Sequence, residues 1–171
     1  MATSAHIAHV NISLPRAPLG SPLLADFVAA LEPVNALADR SPGFVWRLQL
    51  SDADTMQARA VDDERLIVTL SVWESLEALR AFSYDSAPHR EALQRRREWF
   101  CTLDRSGYAL WWIAAGHRPT PAEARERLEH LDEHGPTPFA FTFARSFPTT
   151  GGRDAHPRPA HRAVAADRSA A

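Results

Sequence analysis

Four short segments in which apolar and polar residues alternate limit most strongly what this chain can fold into. A period of two places successive side chains on opposite faces of a β-strand, with one face buried. The pattern predicts strands over residues 6–14, 44–50, 65–73 and 108–114. The last of these is apolar on both faces, which is typical of a strand that is covered on both sides.

Helical patterns fill the spaces between these strands. Ser21 and Pro22 predict the start of a first helix, which Pro33 should kink or split. Two further helical pieces follow the third strand, joined near Ser86, and the residues TPAE at 120–123 form a capping box that opens a last helix. Gly135 is expected to end that helix, and the alternating phenylalanines of residues 139–143 predict a short terminal strand.

The order β, α, β, β, α, β with an extra helix predicts an α+β fold, a ferredoxin-like split βαβ sandwich with a four-stranded antiparallel sheet. Residues 1–148 are expected to form this domain. Residues 149–171 contain almost no large apolar side chains, which predicts a disordered C-terminal tail. In this fold the chain's own helices cover one face of the sheet and leave the other bare, so we expect a homodimer in which a second copy covers that face.

Composition excludes several classes of partner. The net charge of −2 provides no strong field for nucleic acid or an anionic membrane, so neither is expected to bind. The longest apolar run, YALWWIAA, is far shorter than the roughly 20 residues that cross a bilayer. The single Cys101 forms no internal disulfide, and the start lacks the pattern of a secretory signal, so a cytoplasmic location is expected.

The segment SAPHREALQRRREWF, residues 86–100, raises the first functional hypothesis. On a helix it aligns an imidazole and a guanidinium with apolar residues on one stripe: His89, Ala92, Leu93, Arg96, Trp99 and Phe100. The remaining polar residues, Arg90, Gln94, Arg95, Arg97 and Glu98, are predicted to form a solvated face. The stripe points to a pocket whose ligand meets His89 and Arg96.

Each of these two side chains has a structural alternative. The helix N-terminus disfavours a charged His89, so a neutral imidazole is expected, able to ligate iron, act as a general base or hydrogen-bond a substrate; it could equally bond a backbone group and pack. Arg96 stays charged and needs an anionic or carbonyl partner, supplied either by a ligand or by a protein carboxylate.

The strands supply a polar set that could line the same pocket. Its members share one side of the alternation: His9, Asn11, Ser13, Arg47, Gln49, Thr69, Ser71 and Trp73. The alternation leaves open whether this set faces the helices or the dimer side. Tyr84, between the two helical pieces, is expected either to donate a hydroxyl to a ligand or to pack at the surface.

Four segments carry a family resemblance, over roughly residues 5–147: SPGFVWRLQ, VTLSVWESLEALRAF, PHREALQRRREWF and YALWWIAAGHRPTPAEARERL. They resemble the domain of unknown function 3291 family, which is similar to the dimeric α/β-barrel superfamily. That superfamily includes antibiotic-biosynthesis monooxygenases, haem-degrading monooxygenases, chlorite-dismutase-like proteins and aldoxime dehydratases. The resemblance implies a pocket between sheet and helices, and a barrel formed by the two sheets of a dimer.

In the haem-degrading members an asparagine, a tryptophan and a histidine shape the pocket, and Asn11, Trp73 and His89 stand at matching places in the order of elements. The resemblance therefore implies haem as one cofactor, with His89 as iron ligand, and favours the helix side for the polar set. His130 and His134 lie one helical turn apart without a third ligand pattern, so no metal site is predicted. No dinucleotide fingerprint, phosphate loop or nucleophile elbow occurs, so no dinucleotide cofactor is expected.

Together these features predict a small-molecule enzyme, a monooxygenase-like oxidoreductase of secondary metabolism that uses haem or no cofactor. His89, Arg96 and Asn11 are the predicted catalytic residues, and His9, Arg47, Trp73 and Tyr84 the predicted substrate-binding residues. Two alternatives stay open: a non-redox isomerase or cyclase with His89 as base, and a non-catalytic ligand-binding protein.

Overall fold

The computed structural model describes residues 5–49 and 65–149. The strands are β1 Ala5–Ser13, β2 Phe44–Arg47, β3 Ile67–Trp73 and β4 Tyr108–Ala114. A 3₁₀ turn, Pro22–Leu24, precedes helix α1, and the helices are α1 Ala25–Arg40, α2 Leu76–Asp85, α3 Ala87–Trp99 and α4 Pro121–His134.

The four strands form one antiparallel sheet in the order β2-β3-β1-β4. β1 lies at its centre and pairs with β3 on one side and β4 on the other. This order, with α1 between β1 and β2 and with α2 and α3 between β3 and β4, is that of the split βαβ sandwich. The predicted α+β ferredoxin-like fold class is confirmed.

One face of the sheet is covered by the C-terminal helix α4. Ala124, Leu128 and Leu131 of that helix join a buried cluster with Val10 of β1 and Leu70 of β3, which are 0% and 1% exposed. The expectation of a bare face is therefore wrong for this chain, because residues after β4 return across the sheet and bury it. A second copy of the chain is not needed to cover these side chains.

The other face of the sheet meets α1, α2 and α3. At one end it is apolar, where Ile7 and Trp73 pack against Leu79 of α2 and Phe141. Toward the other end of β1 the same face becomes polar, with Asn11 and Ser13 beneath α1 and α3. The polar set of β1 therefore faces the helices, which is the alternative that the family resemblance favoured.

A β-bulge in β2 changes the faces that its alternation predicted. Phe44 pairs with Trp73 and Trp46 pairs with Val72, so two residues of β2 oppose one of β3 and Val45 is the extra residue. Phe44 consequently packs on the helix side, whereas Trp46 packs on the α4 side. Strict alternation over residues 44–50 would place these two aromatic side chains on one face, and the bulge separates them.

Most helix boundaries follow their sequence signals. Thr120 caps α4, since its hydroxyl accepts a hydrogen bond from the Glu123 amide at 3.2 Å, and Gly135 follows the last turn with φ of 70°. At the N-terminus of α1 the prediction was less accurate. The Ser21 side chain makes no capping bond, and α1 continues through Pro33 as one helix rather than two.

The predicted terminal strand over residues 139–143 is not formed as a strand. Phe141 makes an isolated bridge to Leu110 of β4, with backbone hydrogen bonds of 2.9 and 2.8 Å in the two directions. The Phe141 side chain is fully buried on the helix side of the sheet. One pairing residue is enough to fix it there, so the surrounding segment needs no strand geometry.

Three predicted parts of the chain lie outside the described residues. They are the last residue of the predicted second strand, Leu50, the polar segment 51–64, for which the sequence indicates a hairpin or loop, and, beyond its first residue, the C-terminal tail from residue 149. Within the described ranges, no helix combines the length and apolar character that a membrane span requires.

Candidate functional site

A cavity of about 850 Å³ lies between the polar end of the sheet and helices α1 and α3. This volume is in the range of small-molecule sites in proteins, roughly 300–1,000 Å³. Strands β1 and β3 and the start of β4 form its floor, helices α1 and α3 form its walls, and the loop between α3 and β4 forms one end. We refer to it as the helix-side cavity.

The floor of the cavity is a polar row across three strands. Thr69 of β3, Asn11 of β1 and Tyr108 of β4 are direct partners in the antiparallel register, so their side chains point to the same face. The Asn11 amide nitrogen lies 3.5 Å from the Ser13 hydroxyl. The Tyr108 hydroxyl accepts a hydrogen bond from the Phe143 amide at 3.2 Å, which leaves its own proton available to a ligand.

Helix α1 supplies an apolar wall. Phe27, Leu31 and Val34 line the cavity at helical spacing, together with Ala30 and Asn35. These side chains are only half-buried, although they lie on the side of α1 that faces the sheet. The space beneath α1 explains this, because the helix borders the cavity here instead of packing directly on the strands.

Helix α3 supplies a mixed wall. Leu93, Arg96, Arg97 and Phe100 follow the spacing i, i+3, i+4 and i+7, so they form one stripe, and all four line the cavity. The described part of the predicted stripe is thus located at a cavity, as expected for Leu93, Arg96, Trp99 and Phe100. Gln94 and Arg97 are exposed, as predicted for the solvated face, and they also border the cavity.

The loop between α3 and β4 is attached to the end of β1. The Cys101 amide donates to the Leu14 carbonyl at 2.8 Å, and the Ile12 amide donates to the Gly107 carbonyl at 2.8 Å. The Ser106 amide donates to an Asp132 carboxylate oxygen at 2.7 Å, which ties the loop to α4. These bonds hold Arg105, which is half-buried, at the lining of the cavity.

Two predicted binding residues, Arg47 and His9, lie on the same sheet face but not at the cavity lining. The Arg47 guanidinium forms an ion pair with Asp39 of α1 at 2.8 Å. The His9 ring contacts those of Tyr108 and Phe143 at centroid distances of 6.2 and 6.4 Å, and these two rings also contact each other at 5.9 Å. Their roles in ligand binding stay predictions.

The other two predicted binding residues, Trp73 and Tyr84, lie farther along the molecule. Trp73 is 1% exposed, donates from its indole nitrogen to the Ser71 hydroxyl at 3.1 Å and stacks on Phe82 at 5.0 Å. Tyr84 is 49% exposed and contacts the edge of Phe143 at 5.5 Å. These contacts give both side chains a packing role, and their ligand roles also stay predictions.

His89 lies in the first turn of α3, as its sequence signals predict. Its side chain lies outside the described residues, so the prediction that it meets a ligand is untested. Among the lining residues that the structure describes there is no histidine and no carboxylate. The described lining therefore does not supply the imidazole that the family resemblance implies for haem, and no step proposed below passes through haem.

No metal site was predicted at His130 and His134 of α4. His130 and His134 stack at 4.7 Å, and the His130 Nε2 atom lies 2.7 Å from the Thr137 hydroxyl. Over the described ranges no cluster of three or more potential metal ligands is found. The pair belongs to the packing at the end of α4, where burial lowers the pKa of His130.

Sequence reasoning missed two parts of the lining. Tyr108 was grouped with an apolar strand, and Arg105 lies in a loop without a pattern. For Asn35 of α1 the sequence allows either a place in the pocket or a bond to the backbone near Pro33, and the residue lines the cavity. The strand register would have identified Tyr108, because this residue pairs with Asn11 across β1 and β4. The register becomes known only once the fold is known.

These features define a class of protein. It is an α+β sandwich whose helices stand away from one end of the sheet and leave a cavity with a polar floor. The chain belongs to the family described as domain of unknown function (DUF3291), whose model matches residues 6–157. The predicted family is thereby confirmed. No curated protein matches the chain.

The chain is also similar to solved structures at low identity. One is SnoaB, a cofactor-independent oxygenase from Streptomyces nogalater, with 18% identity, a TM-score of 0.42, and coverage of 66% of this chain and 95% of that one. Another is an inferred antibiotic biosynthesis monooxygenase from Nitrosomonas europaea, with 12% identity, a TM-score of 0.45, and coverage of 68% and 95%.

Proposed function

We propose that this protein is a small-molecule enzyme of the oxidoreductase class, with monooxygenase-like chemistry, and that its reaction takes place in the helix-side cavity. The observation that carries the proposal is the composition of the cavity wall. An apolar wall from α1 faces a floor of amide and hydroxyl groups, with Asn11 and Tyr108 at its centre. Apolar walls with a few convergent polar groups are typical of small-molecule sites.

The choice of oxygenase chemistry follows the sequence resemblance to the antibiotic-biosynthesis monooxygenases. In this proposal an electron-rich substrate supplies the electrons for the reduction of dioxygen, so no dinucleotide cofactor is required. Asn11 donates a hydrogen bond to a substrate carbonyl or to a reduced oxygen species, and Arg96 orients a negative group. His89, the third predicted catalytic residue, accepts the proton that the substrate loses.

A homodimer stays a prediction, and the fold limits how it would form. Helix α4 buries the sheet face that would otherwise contact a second sheet. A second copy would therefore contact another surface of the domain. The helix-side cavity lies on the opposite face of the sheet from α4.

The first experiment identifies what the cavity holds. The full chain, purified under native conditions, is examined by absorbance and native mass spectrometry for a bound molecule. Oxygen uptake is then measured with that molecule, and with a panel of electron-rich phenols, for the wild type and for Asn11→Ala. We expect protein-dependent uptake that falls about a hundredfold in the variant, as when one donor to a developing charge is removed.

Three outcomes would contradict parts of the proposal. Substrate conversion without oxygen uptake would indicate an isomerase or cyclase. Binding without conversion would indicate a non-catalytic ligand-binding protein. A haem titration of the wild type and His89→Ala separates the cofactor alternatives, because a Soret band that is lost in the variant would place His89 on the iron, contrary to its proposed role as base.

A further inference from the structure

The charged side chains among the described residues that line the helix-side cavity are all positive. Arg96, Arg97 and Arg105 line it, and the described lining contains no aspartate or glutamate. Among the described residues, none of the three guanidiniums has a hydrogen bond or an ion pair. From this we infer that the cavity selects an organic anion: a ligand with an apolar body and a carboxylate or a similar negative group.

Arg95, on the same helix, is an arginine that carboxylates of the protein itself bind. Arg95 donates to Asp26 at 2.8 Å and to Glu98 at 3.1 Å, and its guanidinium lies over the Trp99 ring at 4.7 Å. These bonds raise the pKa of Arg95. Arg96 and Arg97 follow directly in the chain. Both are exposed and border the cavity, where no described carboxylate meets them.

The helix dipole does not account for all three charges. Arg96 and Arg97 lie in the last turn of α3, where a cation is favoured by the partial negative charge of the helix end. Arg105 lies outside any helix, in the loop that the Asp132 contact holds in place. A loop arginine that converges on the same cavity indicates a binding role, since guanidinium groups match the geometry of carboxylates.

The rest of the lining defines the body of this anion. Phe27, Leu31 and Val34 form an apolar wall opposite the polar floor, and about 850 Å³ accommodates a molecule of several fused rings. The negative group would lie at the end of the cavity near Arg105, and the apolar body under α1. This inference rests on the same cavity as the proposed function, but it concerns recognition and not turnover.

The test uses a matched pair of fluorescent probes, anthracene-2-carboxylate and anthracene-2-carboxamide, which differ in charge and share a body. Fluorescence titration of the full chain gives a Kd for each. We expect the carboxylate to bind at least tenfold more tightly, and Arg96→Gln and Arg105→Gln each to weaken it by about tenfold without changing the Kd of the amide.

Matched variants control for folding and for general surface charge. Arg95→Gln removes the same charge from another face of α3 and should leave both Kd values unchanged. Arg96→Lys keeps the charge and should retain most of the preference. The thermal midpoint of each variant establishes that it is folded before its Kd is compared.

Equal affinities for the two probes, or no binding of either, would overturn the inference. So would a preference that persists in both glutamine variants or that Arg95→Gln also removes. The oxygen-uptake experiment is independent of these outcomes: anion selection without conversion would contradict only the proposed function, and conversion of uncharged substrates alone would contradict only the inference.

Discussion

Arg47 of β2 and Asp39 of α1 are joined by two hydrogen bonds, from Nε to Oδ1 at 2.8 Å and from Nη2 to Oδ2 at 3.2 Å. The hydrogen bond from Arg47 holds the pKa of the Asp39 carboxyl below its usual value of 3.8. The pair links the C-terminal part of α1 to the edge strand β2. On the helix side of the sheet, the Arg47 guanidinium is therefore bound by a carboxylate of the protein itself.

The first prediction concerns this pair. Since the pKa of Asp39 is lowered in the folded state, its contribution to stability is present above pH 3.8 and is lost as the pH falls through the folded value. At pH 7, Asp39→Asn should cost a few tenths to about 1 kcal/mol, because both partners are partly exposed. Urea unfolding measures this cost.

A double-mutant cycle checks that the cost belongs to the pair. Arg47→Gln in the Asp39→Asn background should have little further effect, and the stability difference between wild type and Asp39→Asn should shrink toward pH 3. Additive effects of the two substitutions would contradict the prediction.

The second prediction concerns the turn before β2. Gly43 has φ of +78°, and a Cβ at this position would lie 2.6 Å from the Ala78 Cβ atom of α2. Gly43→Ala should therefore lower the free energy of unfolding by about 1–3 kcal/mol. Thermal or urea unfolding provides the measurement.

Gly20 is the matched control for this substitution. It has no positive φ, and a Cβ added at this position would have no neighbouring atom within 4 Å. Gly20→Ala should leave stability unchanged or raise it by up to about 1 kcal/mol through the unfolded state. Equal losses for the two variants would show that crowding against Ala78 is not the cause.

The third prediction concerns the cover that α4 places over the sheet. Leu128 is 3% exposed and packs in the cluster with Val10 and Leu70. Leu128→Ala should cost about 2–5 kcal/mol, as for other buried leucines. Leu23→Ala, at a position that is 51% exposed, should change stability by no more than about 0.5 kcal/mol. A small effect at Leu128 would contradict the packing of α4 on the sheet.

The fourth prediction is a pH dependence at the end of α4. Burial, followed by the charges of His134 and Arg127, lowers the pKa of His130 below 6.5. The folded state therefore favours the neutral imidazole, and stability should fall as the pH drops below 6.5 until the folded pKa is passed.

His130→Gln removes this titration while keeping a hydrogen-bonding group near Thr137. Thermal midpoints measured between pH 8 and pH 5 should decrease less for the variant than for the wild type. Parallel curves would show that His130 does not contribute.

The fold followed from local patterns to a large extent. β4 begins and ends at Tyr108 and Ala114 as predicted, because a strand that is apolar on both faces is covered on both. Phe44 shows where local pattern fails, since the extra residue Val45 reverses the faces only when β2 pairs with β3. Pro33 is similar: of the kink or split that the local signal predicted, the split did not occur, since α1 runs without interruption from Ala25 to Arg40.

The site followed from the sequence only in part. Helical spacing was sufficient to bring Arg96 to a cavity, and alternation was sufficient to place Asn11 on a polar face. Arg105 could not be found in this way, because a loop residue has no period and its position depends on the long-range contact of Ser106 with Asp132. Arg97 is exposed, as its place on the helical wheel predicts, but the wheel gives no sign of the cavity that it borders.

The return of α4 across the sheet has a thermodynamic consequence. In a barrel that closes through two subunits, folding and association are linked, so the melting temperature rises with protein concentration. Here the covering segment is tethered to the sheet it protects, and its effective local concentration does not change on dilution. Covering of the sheet should therefore not by itself make the melting temperature of this protein depend on its concentration.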